Sequence, residues 1–192
     1  FGAAQKALAS PSSSVVLAAS GICVTDFTLP GETCFLFSGQ GSQYPGMLRD
    51  VARAYPAAAA RLAEVDAELV RCGEVPLSEI MWERTERLND VLWTQMAVLG
   101  GDLMMLEVAS AHGLEPQLIT GHSYGDYPAL VAAGGWTLEQ VVQMTVLRCE
   151  SILKVDLPGG MVAVFGSRAD VASLLVGLPG YAAESNINAP DE

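Results

Sequence analysis

The chain has 192 residues, of which 51% are hydrophobic and 17% are charged. This composition excludes an intrinsically disordered chain and provides enough apolar residues for a buried core. The formal net charge of −12 argues against nucleic-acid binding, because that function needs a basic surface. For the same reason, a phosphate-bearing ligand would need a local cationic site.

The four cysteines are scattered, and none lies at C-x-x-C or zinc-ligand spacing. We therefore expect free thiols in a reducing cytoplasm and no metal site. We find no secretory signal and no apolar run long enough to span a bilayer, so no membrane contact is expected. Because the chain begins at Phe1 rather than at methionine, we expect a piece of a longer protein.

The first third of the chain predicts a connector, a strand and a helix. Residues 1–33 are typical of a connector, with a turn-rich segment at 7–14 and a short strand after it. Residues 33–39, TCFLFSG, predict a buried strand that ends at glycine, and a Gly/Ser/Pro-rich loop follows. Residues 55–73 predict a helix with a proline near its start and Gly73 just past its end.

The middle of the chain predicts a long helix and a second strand. Residues 90–112 have the composition of a long helix, and Gly100 and Gly101 either weaken it or mark close packing against a neighbour. Residues 116–121, PQLITG, predict a strand that leads directly into a serine.

The last third predicts a helix and then a β–α–β unit. Residues 136–153 predict an amphipathic helix with Thr137 as its N-cap. Strand patterns at 161–166 and 181–188 flank a helical pattern at 167–178, which predicts the opening of a second, smaller subdomain. Because strands alternate with helices along the chain, the sequence favours an α/β fold with a mainly parallel sheet.

The sequence GHSYG places Ser123 between Gly121 and Gly125, after a predicted strand and before a helix. Such a turn lifts the serine oxygen clear of the backbone, where free N–H groups can stabilise an oxyanion. The pattern predicts a nucleophile, with an ordinary turn serine as the alternative. Neither histidine, His112 or His122, lies downstream of Ser123. We expect His122 to point away from the reacting side and His112 to be a surface or capping residue.

Five sequence blocks follow one another in a specific order. They are FLFSGQGSQYPGM at 35–47, TQMAVLGGDLMMLE at 94–107, GHSYGDYPALVAAGGWTLEQVVQMTVLR at 121–148, GGMVAVFG at 159–166 and NINAP at 186–190. In this order they resemble the malonyl-CoA:acyl-carrier-protein transacylase family, which includes the acyltransferase domains of type I polyketide and fatty-acid synthases. The resemblance covers about residues 33–192.

The resemblance implies a domain organisation. A mainly parallel-sheet, hydrolase-like large subdomain would carry an inserted small ferredoxin-like subdomain. Residues 1–33 would be a linker from a preceding synthase domain, 34–158 the N-terminal part of the large subdomain, and 159–192 the start of the small one.

The resemblance also implies a role for each matching residue. Ser123 matches the nucleophile that attacks an acyl-CoA thioester and becomes an acyl-serine ester. Gln40 matches the residue whose backbone N–H forms half of the oxyanion hole, and Tyr124 would supply the other N–H. Arg148 matches the arginine that binds the free carboxylate of a malonyl-type extender, which a planar guanidinium can grip through two hydrogen bonds. Gln95 matches a glutamine of the pocket.

Three further matches are less specific. His122 is grouped with the substrate-binding residues rather than with the bases, and Asn186 and Asn188 match an asparagine segment without an assigned role. The resemblance implies a general-base histidine well downstream of Ser123. We expect that histidine beyond residue 192, and we expect the 192-residue segment alone to be inactive.

The chain departs from the usual family pattern at four positions. Ser38 and Met96 stand where proline is common, and Asp126 replaces a glutamate. Tyr124 is bulkier than the usual aliphatic residue, which favours malonyl over branched extenders by narrowing the acyl pocket. None of these changes removes a catalytic atom.

The resemblance therefore implies an acyltransferase of polyketide biosynthesis. It would move an extender acyl group, malonyl, from coenzyme A to a phosphopantetheinylated acyl carrier protein, beside neighbouring synthase domains and without a permanently bound cofactor. Two alternatives stay open: a serine esterase or thioesterase of the α/β-hydrolase type, and a non-catalytic scaffold segment of a synthase.

Helical periodicity adds one observation, since it puts Arg148 beside Val141 at the edge of an apolar face. That position suits an arginine reaching into a cleft, although most helix arginines are solvated charges.

Overall fold

The computed structural model describes residues 14–17, 22–25, 31–155 and 159–189. Apart from Ser14, the turn-rich segment predicted at 7–14 lies outside these residues. The chain divides into two compact units, Phe1–Ile152 and Leu153–Glu192.

Two short strands form a hairpin near the N-terminus. Strand β1 (Ser14–Leu17) pairs antiparallel with β2 (Ile22–Thr25). Strand β1 confirms the short strand predicted in the connector. Strand β2 was not predicted.

Two parallel strands position the serine turn. Strand β3 (Cys34–Phe37) pairs with β4 (Leu118–Gly121), which confirms both predicted strands and the α/β class. One more ladder bond follows, since the His122 N–H donates to the Phe37 carbonyl at 3.0 Å. The loops that follow β3 and β4 therefore lie side by side, at the edge where parallel α/β sheets carry their sites.

The predicted burial of β3 is wrong for one of its faces. Phe37 is buried, but Leu36 is 70% exposed. Successive side chains of a strand point to opposite faces, so a sheet covered on one face buries only alternate residues.

Helices supply most of the core of the first unit. They are α1 (Arg49–Ala54), α2 (Pro56–Arg71), α3 (Leu77–Trp82), a 3₁₀ turn at Thr85–Arg87 and α4 (Val91–Ala111). The helices predicted at 55–73 and 90–112 are thus confirmed as α2 and α4. Helices α1 and α3 have six residues each and were missed, because fewer than two turns show no clear period.

Helix α4 runs through the core, and its two glycines allow neighbours to approach closely. A Cβ added to Gly100 would lie 2.5 Å from Leu77 Cδ2, and one added to Gly101 would lie 2.7 Å from Met47 Cε. The close-packing alternative predicted for this pair is therefore confirmed. By length and composition α4 could cross a membrane, which the sequence reading overlooked, but 61% of its most apolar window is buried inside the protein, as in a core helix.

Helices α5 (Asp126–Ala132) and α6 (Leu138–Lys154) follow the serine turn. Thr137 caps α6 as predicted: Thr137 Oγ1 accepts from the Gln140 N–H at 3.1 Å, and Gln140 Oε1 accepts from the Thr137 N–H at 3.0 Å. This reciprocal pair is a capping box, which fixes where α6 begins.

The second unit contains helix α7 (Arg168–Gly177), which confirms the predicted helix. Ser167 Oγ caps it by accepting from the Asp170 N–H. The strands predicted at 161–166 and 181–188 do not form in the described part of this unit. An extended segment becomes a strand only when a partner satisfies its backbone groups, and side chains here such as Met161 and Tyr181 are exposed.

Candidate functional site

The candidate nucleophile lies in a strained turn at the end of β4. A 3₁₀ turn, Ser123–Gly125, leads directly into α5, and the Gly125 N–H donates to the His122 carbonyl at 2.9 Å. The φ angle of Ser123 is +55°, in the left-handed region that a residue with a Cβ rarely adopts. Ser123 is exposed. Backbone strain that presents an exposed hydroxyl is a feature of nucleophile turns.

The two glycines that flank this turn are required by close backbone contacts. A Cβ on Gly121 would lie 2.2 Å from the Gly125 carbonyl carbon. A Cβ on Gly125 would lie 2.4 Å from the carbonyl oxygens of both Phe37 and Ser38. Since the obstructing atoms are backbone, side-chain rotation cannot relieve these clashes.

We predict that Gly125→Ala destabilises the protein by about 3 kcal/mol, because the new methyl group forces β3 and the serine turn apart. Denaturant unfolding monitored by circular dichroism measures this free energy. Gly135→Ala is the matched control, because its Cβ would meet Leu130 at an ordinary 3.5 Å. Equal unfolding free energies for the two variants would contradict the tight-turn interpretation.

The loop after β3 brings Gln40 next to the serine turn. A Cβ on Gly39 would lie 2.6 Å from the His122 carbonyl oxygen and 3.3 Å from Ser123 Cβ. The backbone N–H of Gln40 donates to no other group in the part of the chain that the structure describes. A free N–H beside a nucleophile is the group that an oxyanion hole needs.

Arg148 and Gln95, predicted to belong to one site, are in direct contact. Arg148 Nη1 donates to Gln95 Oε1 at 2.5 Å, from α6 to α4. Gln95 is 2% exposed, and its Nε2 donates back to the Val91 carbonyl at 3.2 Å, which fixes the amide. No carboxylate of the described residues forms a salt bridge with Arg148. A neutral amide therefore orients the guanidinium and leaves its charge for an anion.

Tyr124 connects the serine turn to α6. Its side chain is 3% exposed, and its hydroxyl lies 2.7 Å from Thr145 Oγ1. Thr145 Oγ1 itself donates to the Val141 carbonyl at 2.8 Å, so the tyrosine hydroxyl is the donor of the pair. Burial raises the pKa of the Tyr124 hydroxyl above its ordinary value. The ring of Tyr124 is turned into the core. The narrowing of an acyl pocket by this residue stays a prediction.

Sequence reasoning missed the part played by Thr145, which lies three residues before Arg148. A hydroxyl on the apolar face of α6 was the available signal, because a buried polar group needs a hydrogen-bond partner.

Neither histidine forms a hydrogen bond with Ser123 Oγ in the described part of the chain. The His122 side chain lies against the loop after β3, with Nδ1 3.1 Å from where a Gly39 Cβ would be. His112 is exposed at the C-terminal end of α4, and its Nε2 lies 3.0 Å from the Tyr55 hydroxyl. Ser123 Oγ has no hydrogen-bond partner within residues 31–155 and 159–189. These places support the expectation that neither histidine is the direct base.

The remaining predicted residues lie in the second unit. Asn186 and Asn188 are exposed, in a segment without regular secondary structure. Within the described ranges, Cys34, Cys72 and Cys149 are free thiols, and no cluster of three or more His, Cys, Asp or Glu could hold a metal ion.

Comparisons with known proteins identify the family. The sequence profile of the family described as "Acyl transferase domain" matches residues 34–176. Polyketide synthase GfsA of Streptomyces halstedii is 32% identical over 168 residues, a match that covers 83% of this chain and 2% of that protein.

Two solved structures share the fold. The acyltransferase domain from the second module of the salinomycin polyketide synthase superposes with a TM-score of 0.77 at 29% identity, over 98% of this chain and 43% of that one. The second is the complex of a type II polyketide synthase acyl-carrier protein with its malonyl-transacylase. It gives a TM-score of 0.60 at 33% identity, over 68% of this chain and 41% of the matched chain. The chain thus spans less than half the length of each of these relatives. Since the profile matches most of its residues, the chain belongs to the acyl transferase domain family.

Proposed function

We propose that this chain carries the acyl-transfer site of a polyketide synthase acyltransferase. Its substrate would be malonyl-CoA, its acceptor the thiol of a phosphopantetheinylated acyl carrier protein, and its intermediate an ester on Ser123. Two kinds of evidence support this: the family membership, and the names of relatives that are polyketide synthases or malonyl-transacylases. The observation that carries it is Arg148, held by the neutral Gln95 amide with its charge available.

The chemistry follows from the strained turn. Ser123 Oγ attacks the thioester carbonyl, an oxygen–carbon bond forms, and the carbon–sulfur bond to coenzyme A breaks. The backbone N–H groups of Gln40 and Tyr124 would stabilise the oxyanion of the tetrahedral intermediate. The serine proton passes to a base and then to the leaving thiol. The second half-reaction reverses these steps with the carrier-protein thiol as the attacking group.

We propose that the base is a residue other than the two histidines of this sequence. His112 is committed to Tyr55, and His122 lies against Gly39. We propose a histidine from another part of the protein, as the family resemblance implies.

Charge complementarity is the reason to propose malonyl as the acyl group. The net charge of −12 repels a substrate that carries phosphates and a carboxylate. Arg148 supplies a local cation whose planar geometry matches a carboxylate. This arrangement favours malonyl over uncharged acyl groups, and Gln95 fixes the direction in which the guanidinium points.

The division of the chain into a linker and two subdomains is part of the same proposal. Residues 34–158 would be the N-terminal part of a hydrolase-like large subdomain, 159–192 the start of a ferredoxin-like small subdomain, and 1–33 a linker. The boundary between the compact units, after Ile152, supports the division. Neighbouring synthase domains would be partners of a cytoplasmic protein that uses coenzyme A thioesters without a bound cofactor.

A transfer assay tests the proposal. The protein that contains this chain is incubated with malonyl-CoA and the phosphopantetheinylated carrier protein, and intact-protein mass spectrometry follows the carrier. We expect malonyl-carrier protein to accumulate with release of coenzyme A. Hydrolysis of simple esters without carrier acylation would indicate an esterase instead, and the absence of any reaction would indicate a scaffold.

A further inference from the structure

We propose that Asp102 is a positioning residue for the oxyanion loop, defined here as residues 38–43, and that it acts through Ser38. The inference rests on the proposed function, because its target is the Gln40 N–H.

Asp102 lies on α4 and reaches the first residue of the oxyanion loop. Its Oδ1 accepts from Ser38 Oγ at 2.8 Å. Ser38 Oγ lies 3.0 Å from Ser42 Oγ, which in turn is 2.9 Å from the Gly39 carbonyl and donates to it. Each hydroxyl has a single proton, which Ser38 donates to Asp102 and Ser42 donates to the Gly39 carbonyl, so the contact between the two serine oxygens adds no third hydrogen bond. Asp102 thus holds the first residue of the loop, and Ser42 holds the carbonyl of the peptide bond that joins Gly39 to Gln40. Because only Gly39 separates Ser38 from Gln40, a shift of Ser38 moves the Gln40 N–H.

The electrostatic setting of Asp102 is unusual for a carboxylate. Its Oδ2 is buried and has no hydrogen-bond partner within the described part of the chain. Burial raises the pKa of this carboxyl to about 6, against the opposing effect of hydrogen bonds from the Ser38 side chain and backbone. A cavity of about 150 Å³ lies beside it. The other titratable group in the cavity lining is Tyr44, and no cation lines it.

A carboxylate with one oxygen buried and without a partner costs stability, so packing alone does not explain its position beside the loop. Ser38 supplies both the hydroxyl and the backbone N–H that Asp102 accepts from, so the pair fixes the first residue of the loop.

Helix α4 therefore supports both halves of the site. Gln95 and Asp102 are seven residues apart on it, which places them on one face about 10.5 Å apart along the axis. Gln95 orients Arg148, and Asp102 orients the loop that contains Gln40. One rigid element thus sets the distance between the carboxylate-binding group and the oxyanion donor.

The test uses Asp102→Asn, which keeps the size and an acceptor oxygen but loses the charge, and Ser38→Ala, which removes the donor. Single-turnover acylation of Ser123 by malonyl-CoA is measured in the protein that contains this chain. We expect each variant to slow acylation about tenfold with less than a twofold change in the half-saturating concentration, and the double variant to be no slower than either single one. Asp50→Asn, an exposed carboxylate of α1, is the control.

The pH profile separates positioning from a purely structural role. The rate ratio of wild type to Asp102→Asn should be largest above about pH 7 and approach one below about pH 5, because protonation removes the charge of Asp102. The pH dependence of the catalytic base affects wild type and variant equally, so it cancels in this rate ratio. Because the native pKa is raised above the ordinary value of 3.8, ionisation of Asp102 lowers native stability as pH rises toward 6. Asp102→Asn should therefore unfold no more easily than wild type at pH 7.

The outcomes distinguish the positioning role of Asp102 from the proposed acyl-transfer function. Unchanged acylation in Asp102→Asn and Ser38→Ala, or a rate ratio independent of pH, would overturn the positioning role. A wild-type protein that never forms an ester on Ser123 would instead overturn the proposed function.

Discussion

Ser123→Ala is expected to lower the rate of malonyl transfer by at least about 10⁴-fold, because removing a nucleophile removes the covalent route altogether. The turn should survive the change, since alanine keeps the Cβ and loses only the exposed hydroxyl. The measurement is the initial rate of malonyl-carrier formation in the protein that contains this chain, together with the amount of acyl-enzyme.

A matched variant controls for damage to the fold. Ser110→Ala removes another exposed serine hydroxyl, near the end of α4, and should leave transfer unchanged. Residual transfer within tenfold of wild type in Ser123→Ala would show that the acyl group does not pass through Ser123.

Arg148→Ala is expected to lower kcat/KM for malonyl-CoA by roughly 10² to 10³-fold, because the substrate carboxylate loses its charge-assisted partner. The rate with acetyl-CoA, whose acyl group has no carboxylate, should change by less than about threefold, since that acyl group makes no use of the arginine charge. Steady-state rates with both substrates give the ratio that tests the claim.

Two further variants sharpen the result. Arg148→Lys keeps the charge but loses the planar fork that Gln95 orients, so we expect an intermediate loss of about tenfold. Arg53→Ala, in an exposed ion pair with Asp50, removes a similar charge and should change neither substrate. Equal losses for malonyl-CoA and acetyl-CoA in Arg148→Ala would mean that Arg148 maintains structure instead of selecting the carboxylate.

Local patterns were sufficient to predict the elements that surround the site. A proline near the start and Gly73 just past the end predicted α2, and Thr137 predicted the start of α6. The serine between two glycines predicted a tight turn, and the contacts of Gly125 show why no side chain fits there. The helix ends, the cap and the turn pattern depend on residues close together in the sequence, whereas the contacts of Gly125 are with Phe37 and Ser38 of a distant segment.

The contacts that organise the site could not be predicted from local patterns. Gln95 and Arg148 are 53 residues apart in the sequence, and Ser38 and Asp102 are 64 apart. Each pair forms because α4 packs through the core, and the sequence of either partner alone carries no sign of the other. The family resemblance grouped Gln95 with Arg148, but it gave no reason to notice Asp102.

The strands predicted at 161–166 and 181–188 illustrate the same limit. Their composition favours an extended backbone, yet a strand also needs a neighbour for its N–H and C=O groups. Composition therefore identifies segments that are able to form strands, and pairing decides whether they do.

The most direct test of the central claim, that Ser123 carries the acyl group, is to trap the acyl-enzyme. The protein that contains this chain is mixed with malonyl-CoA, quenched in acid, digested and mapped by tandem mass spectrometry. We predict a malonyl ester on the peptide containing Ser123, which disappears when the phosphopantetheinylated carrier protein is added before the quench. Malonyl found on another residue, or transfer to the carrier protein with Ser123 unmodified throughout, would contradict it.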